Sequence, residues 1–95
     1  MGIYKLSQAA ENDLIEIYIR GITEWGVLKS DQFQEKLIDS FHLLAEQSGL
    51  GRAVSIRPSL QRFDVVPYVV FYKAENYGVR IVRVLYKNRA MEKHL

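Results

Sequence analysis

The spacing of apolar residues changes period once along this chain, at the glycine-containing stretch SGLGR of residues 48–52. Before it, Ala10, Leu14, Ile17, Gly21 and Trp25 recur at the three-and-four spacing of one helical face, and Phe33, Leu37, Phe41 and Leu44 do the same further on. After it, QRFDVV (61–66), YVVFYK (68–73) and VRIVRVLY (79–86) are dense in Val, Tyr, Phe and Ile, the residues that suit a pleated surface. A chain built this way has helices first and strands second, the order of an α+β domain with helices on one face of an antiparallel sheet.

The boundaries follow from local signals. IYKL (3–6) reads as a short N-terminal strand, and Ser7 stands where a helix cap belongs. One helix is predicted over 8–24 and a second over 28–47, broken at Trp25-Gly26, so that the two form an antiparallel hairpin. Asp13, Glu16, Arg20 and Glu24 are assigned to the polar side of the first helix. Pro67 marks an edge, a bulge or a break between two strands, and AENYG (74–78) reads as a hairpin loop. In the last strand strict alternation points Val79, Ile81, Arg83 and Leu85 one way, and Arg80, Val82, Val84 and Tyr86 the other. The reading is therefore a single domain over 1–95: a strand, a two-helix hairpin, a three-stranded antiparallel meander, and a segment, 87–95, that looks unpacked, the alternative being that Met91 and Leu95 fold back and cover the sheet.

The first helix has more apolar surface than one contact needs, because Ile15, Ile19 and Ile22 form a second stripe beside the first. That stripe either packs inside the domain or faces a partner. Charge is divided along the chain. Residues 1–51 hold four Lys/Arg against eight Asp/Glu, net −4, and residues 52–95 hold nine against three, net +6. A basic second half suits nucleic acid or an acidic protein segment, or it merely decorates a sheet.

The absent chemistry narrows the function. With no cysteine there is no disulfide framework, thiolate metal site or cysteine nucleophile, and the usage fits a reducing cytoplasm. No phosphate loop, GxGxxG or Cys/His metal spacing occurs, so neither a metal nor a cofactor is expected. No leader is visible at the start, and no apolar run is long enough to span a membrane. His42 reads as a surface bystander on the second helix. One constellation remains, Arg57, Arg62, Arg83 and Tyr86. For RNA cleavage it supplies cations and a proton donor but no general base, since Arg and Tyr titrate far above neutrality. Arg83, set between Ile81 and Leu85, also suits a structural hydrogen-bonding role.

The same residues carry a resemblance. LSQAAENDLIEIY (6–18) is similar to the opening of the ParE toxins of the RelE/ParE superfamily, "LSxxAxxDLxxIxxY", through Ser7, Ala10, Asp13, Leu14, Ile17 and Tyr18. Trp25-Gly26 matches the family's "WG". LLAEQSGLGR (43–52) resembles "LAxxPxLGR", with Ser48 at the usual proline. Arg57, Pro58, Leu60, Arg62 and Phe63 resemble the arginine-rich segment before the central strands. YVVFY (68–72) matches "HVIFY", and VRIVRVLY (79–86) matches "IxIVRILH" with Tyr86 in place of His. NRAMEKHL (88–95) resembles "RMDxxxHL", departing at Asn88 and Ala90.

The resemblance implies a two-helix hairpin on an antiparallel sheet. It implies a non-enzymatic cytoplasmic toxin that binds DNA gyrase, traps it on cleaved DNA and is neutralised by a ParD-like antitoxin. On this reading Ile15, Ile19 and Ile22, with Arg57 and Arg62, receive the antitoxin. Lys87, Arg89, Met91, Lys93, His94 and Leu95 meet the target, whose bound DNA favours basic groups. The RelE branch of the same superfamily offers the rival, a ribosome-dependent ribonuclease using Arg57, Arg62, Arg83 and Tyr86. A toxin-fold protein of weak activity is a third possibility.

Overall fold

The computed structural model describes residues 2–88 and 91–95. It begins with β1 (Ile3–Leu6), followed by α1 (Gln8–Trp25) and α2 (Val27–Glu46). A 3-10 turn at Ser48–Leu50 leads to β2 (Arg52–Val54), β3 (Arg57–Val65), β4 (Tyr68–Glu75) and β5 (Gly78–Tyr86), and a second 3-10 turn spans Met91–His94. The α+β class and the order of elements are those read from the sequence.

Ser7 starts α1 as its cap: its hydroxyl accepts from the Ala10 amide at 3.0 Å and donates to the Val82 carbonyl at 2.7 Å, tying helix start to sheet. The helices are joined by Gly26 alone. Its φ of 87° lies in the region that glycine tolerates and other residues resist, so one residue both ends α1 and begins α2. Across the hairpin, Ser30 donates to the Tyr18 carbonyl at 2.8 Å and the Tyr18 hydroxyl donates to Asp31.

The sheet is larger than the three-stranded meander read from the sequence. It has five strands in the order β1-β5-β4-β3-β2, with β1 parallel to β5 and every other pair antiparallel. The hairpin loop is also tighter than 74–78, since Glu75 already pairs with Gly78. Gly78 has φ 141°, and a side chain there would strike the Ile3 backbone at 2.0 Å, so the parallel docking of β1 depends on glycine. Pro67 is the break: Val65 pairs with Tyr68, leaving Val66-Pro67 as the turn between β3 and β4.

Two cores result. The main one lies between the helices and one face of the sheet, where Leu14, Ile17, Leu37, Phe41 and Leu44 meet Val70, Tyr72, Val79, Ile81 and Val84. The second, on the open face, gathers Val54, Leu60, Val69 and Phe71 with Met91, and Val82, Leu85 and Leu95 pack against it.

The strict alternation expected in β5 fails at one place. Phe71 pairs with Arg83 but Tyr72 with Ile81, so Val82 is an extra residue in β5. Such a bulge re-aims the side chains beyond it. Val84 consequently joins the helix-side core, while Leu85 turns to the open face. Trp25, read as the end of the buried α1 stripe, is 44% exposed and stands edge-on to Phe33, with centroids 6.3 Å apart.

Candidate functional site

Arg83, at the bulge, makes three side-chain hydrogen bonds among the described residues. Its guanidinium donates to both carboxylate oxygens of Asp13, at 2.8 and 2.9 Å, and to the His94 carbonyl at 3.0 Å. Asp13 also accepts from the Val84 amide at 2.9 Å. The edge of β5 beyond the reach of β1 is thus closed by two side chains of the α1 entry, Ser7 on the Val82 carbonyl and Asp13 on the Val84 amide. Asp13 is buried, which corrects its placement on the polar side of the helix. A buried carboxylate requires partners to offset its desolvation, and Arg83 with the Val84 amide supply them. The Asp13 hydrogen bonds hold Arg83 still further above its ordinary pKa, so the arginine is cationic throughout the working range. The structural role read for Arg83 is the one observed.

The C-terminal segment corrects a second expectation. Residues 91–95 are packed, not free: Met91 is 7% exposed and Leu95 rests against the second core. Three arginines fasten the segment. Arg83 donates to the His94 carbonyl, Arg57 to the Leu95 carbonyl, and Arg62 lies 3.6 Å from Glu92. The physical cause is the open sheet face, where Leu60, Val69 and Phe71 would otherwise meet water. Lys93 and His94 turn outward and are exposed, as is Lys87; Arg89 lies outside the described residues.

These contacts separate the residues of the nuclease reading. Arg83 and Tyr86 line one cleft of about 380 Å³ with Asp13, Arg20, Tyr68 and His94. Arg62 lies instead on the open face, its guanidinium 5.9 Å from the Phe71 ring, and Arg57 holds the Leu95 carbonyl. Tyr86 is 53% exposed and packs edge-on to Tyr68, at 5.6 Å between centroids.

Asp64 is a further charged junction that the sequence reading passed over. It sits 3.0 Å from Lys87, 3.5 Å from Arg62 and 4.0 Å from Arg52. The Lys87 hydrogen bond, aided by the charges of Lys87 and Arg62 against some desolvation, holds the Asp64 carboxyl below its ordinary value. A depressed carboxylate contributes stability above its unfolded pKa, and that contribution is lost as pH falls through the folded one. Asp64→Asn is therefore expected to cost under about 1 kcal/mol near neutrality, the solvent having screened most of the interaction. The difference from the parent should close on acidification below about pH 4, read by denaturant melts across pH.

On the helix layer, Ile15 and Ile19 are each 58% exposed on one side of α1, while Ile22 is half-buried. The second stripe seen in the sequence is therefore largely uncovered. His42 is exposed on α2, in edge contact with Tyr4 at 5.1 Å. Among the described residues no helix is long and apolar enough to cross a membrane.

Comparison with known proteins fits this architecture. Residues 4–91 match the family model described as "ParE toxin of type II toxin-antitoxin system, parDE". The chain is 30% identical over 93 residues to Toxin ParE1 of Caulobacter vibrioides, spanning 97% of this chain and 96% of the relative. It is likewise 30% identical over 94 residues to Toxin ParE1 of Mycobacterium tuberculosis H37Rv, with the same coverage. Its fold is similar to a chain in the solved structure titled "Chromosomal ParDE TA system from P. aeruginosa", with a TM-score of 0.78 over 93% of this chain and 98% of that one, at 18% identity. The chain belongs to the ParE toxin family of type II toxin–antitoxin systems, a family of toxins and not of enzymes.

Proposed function

We propose that this toxin acts in the cytoplasm on DNA gyrase, blocking replication, and that a ParD-like antitoxin neutralises it. The kinship with ParE toxins over nearly the whole chain supports the reading. The observation that carries the antitoxin half is the uncovered Ile15/Ile19 side of α1. Isoleucines so exposed, four residues apart, suit the apolar face of an amphipathic helix laid along the hairpin, with Ile22 at its margin. An extended antitoxin segment then has two outer strands to join, β1 and β2. β2 begins at Arg52 and ends at Val54, which pairs with Arg57 of β3, so an acidic segment favours that edge. Arg57 is the more open contact there: it is exposed and its bond is to the Leu95 carbonyl, whereas Arg62 is half-buried and meets Asp64 and Glu92.

For the target, the outward groups of the C-terminal segment, Lys87, Lys93 and His94, are the contacts, and Arg89 belongs with them by sequence. Met91 and Leu95 act by holding that segment in place on the sheet.

Ile19→Asp tests the antitoxin site. The exposed position should tolerate the change, leaving the thermal midpoint within a few degrees. Affinity for the cognate antitoxin should fall at least tenfold, the scale of about 1.4 kcal/mol, and co-expression should no longer rescue growth. Unchanged antitoxin affinity in the folded variant would place the antitoxin elsewhere.

A further inference from the structure

Strand register sets three cations in a row that the reading of the toxin's function does not use. Lys5 in β1 pairs with Arg80 in β5, and Arg80 pairs with Lys73 in β4. Residues paired in this way project from the same face of a sheet. That face is the open one: each of the three alternates with residues of the helix-side core, Lys5 with Tyr4 and Leu6, Arg80 with Val79 and Ile81, and Lys73 with Tyr72. All three are exposed.

Like charges directly opposite one another destabilise a sheet unless carboxylates intervene. None does so here. Lys5, Lys73 and Arg80 form no ion pair among the described residues, whereas Arg52, Arg62, Arg83 and Lys87 all do. Glu75, two residues along β4 from Lys73, also forms none. Lys5 lies over the Tyr77 ring, 4.5 Å from its centroid, which steadies its stem and leaves its charge in place. The row belongs to a wider division. The two helices carry three Lys/Arg against eight Asp/Glu, net −5, and the five strands carry seven against two, net +5.

We infer that the Lys5–Arg80–Lys73 row is a contact for the phosphate backbone of duplex DNA. Its span across three strands is about 10 Å, two interstrand spacings. A duplex carries one charge per about 1.7 Å of axis over both strands and one per about 3.4 Å on each, so about three phosphates of the strand nearest the sheet fall within that span, enough for the three cations. An extended acidic peptide repeats same-side carboxylates only every ~7 Å and meets one or two of them. The contact is to the backbone and not to base sequence. It does not depend on which enzyme the toxin meets.

The test is fluorescence anisotropy of the full-length toxin, without antitoxin, on a labelled duplex of about 30 base pairs across about 0.05–0.2 M KCl. Three phosphate contacts give a log–log salt slope of about −3, with weak affinity on the order of 0.1 mM. Lys73→Gln/Arg80→Gln should lose about two units of that slope and at least tenfold in affinity at low salt. Because it removes like-charge repulsion, it should melt no lower than the parent. Lys29→Gln/Lys36→Gln removes the same charge from α2 and should bind as the parent does. Equal binding by parent and sheet variant, or an equal loss in the α2 variant, would overturn the inference. So would a parent that ignores the duplex while binding polyglutamate or phosphatidylserine vesicles.

Discussion

Asp13→Ala is expected to destabilise the fold by about 3 kcal/mol, the cost of leaving one member of a largely buried ion pair without its partner. The side chains of Asp13 and Arg83 are 10% and 25% exposed, and Asp13 also satisfies the Val84 amide. Removing the carboxylate strands both the guanidinium and an edge N–H of β5. For a domain of this size the thermal midpoint should drop on the order of 15 °C. Asp13→Leu with Arg83→Met should recover part of the loss, because an apolar pair carries no desolvation cost. Arg83→Met alone should resemble Asp13→Ala. A stability change for Asp13→Ala within about 0.5 kcal/mol, the ordinary range of surface substitutions, would show that the pair contributes nothing to the junction of α1 with β5.

Truncation after Tyr86 is expected to have the larger effect. It removes Met91 and Leu95 from the open face, uncovering Val54, Leu60, Val69 and Phe71, and frees the three arginines that hold the segment. Two apolar side chains at about 2 kcal/mol each put the loss at roughly 4 kcal/mol. That is much of the stability of a small domain, about 5–15 kcal/mol. Growth inhibition should vanish with the fold, so truncation alone does not isolate contact with the target. Lys93→Gln/His94→Gln does: both positions are exposed, so the variant should stay folded while inhibition weakens. A truncated chain with its melting temperature unchanged would contradict the packed segment. A folded double variant of full potency would remove Lys93 and His94 from the target surface.

Much of the fold was readable because helix and strand leave different periods in the apolar residues. Leu37, Phe41 and Leu44, read as one stripe, are all fully buried. Asp13 was missed because its charge outweighed its position. It lies three residues after Ala10 and four before Ile17, on the buried face, and that spacing was the signal that it needed a partner. The alternation in β5 misled beyond Val82, since a single inserted residue reverses every later side chain and leaves no mark in composition. β2 is three residues long, too short to show a period. The C-terminal segment looked unpacked because Met91 and Leu95 are only two apolar residues among charges. Their burial depends on a sheet face completed by residues as far back in the sequence as Val54, and on arginines that bind backbone carbonyls, which a sequence does not display.

The exposed isoleucines were readable as an excess of apolar surface, but not as exposed. Only the packing of α1 on the sheet decides which stripe is covered, and Ile15 and Ile19 are the pair left outside.

Supercoiling of relaxed plasmid by purified DNA gyrase, with the toxin added alone and then with its antitoxin, tests the proposed function most directly. The expected result is loss of supercoiling with accumulation of cleaved plasmid, both reversed by the antitoxin. Full supercoiling activity at toxin concentrations that arrest growth, with messenger RNA cut at the ribosome instead, would contradict it.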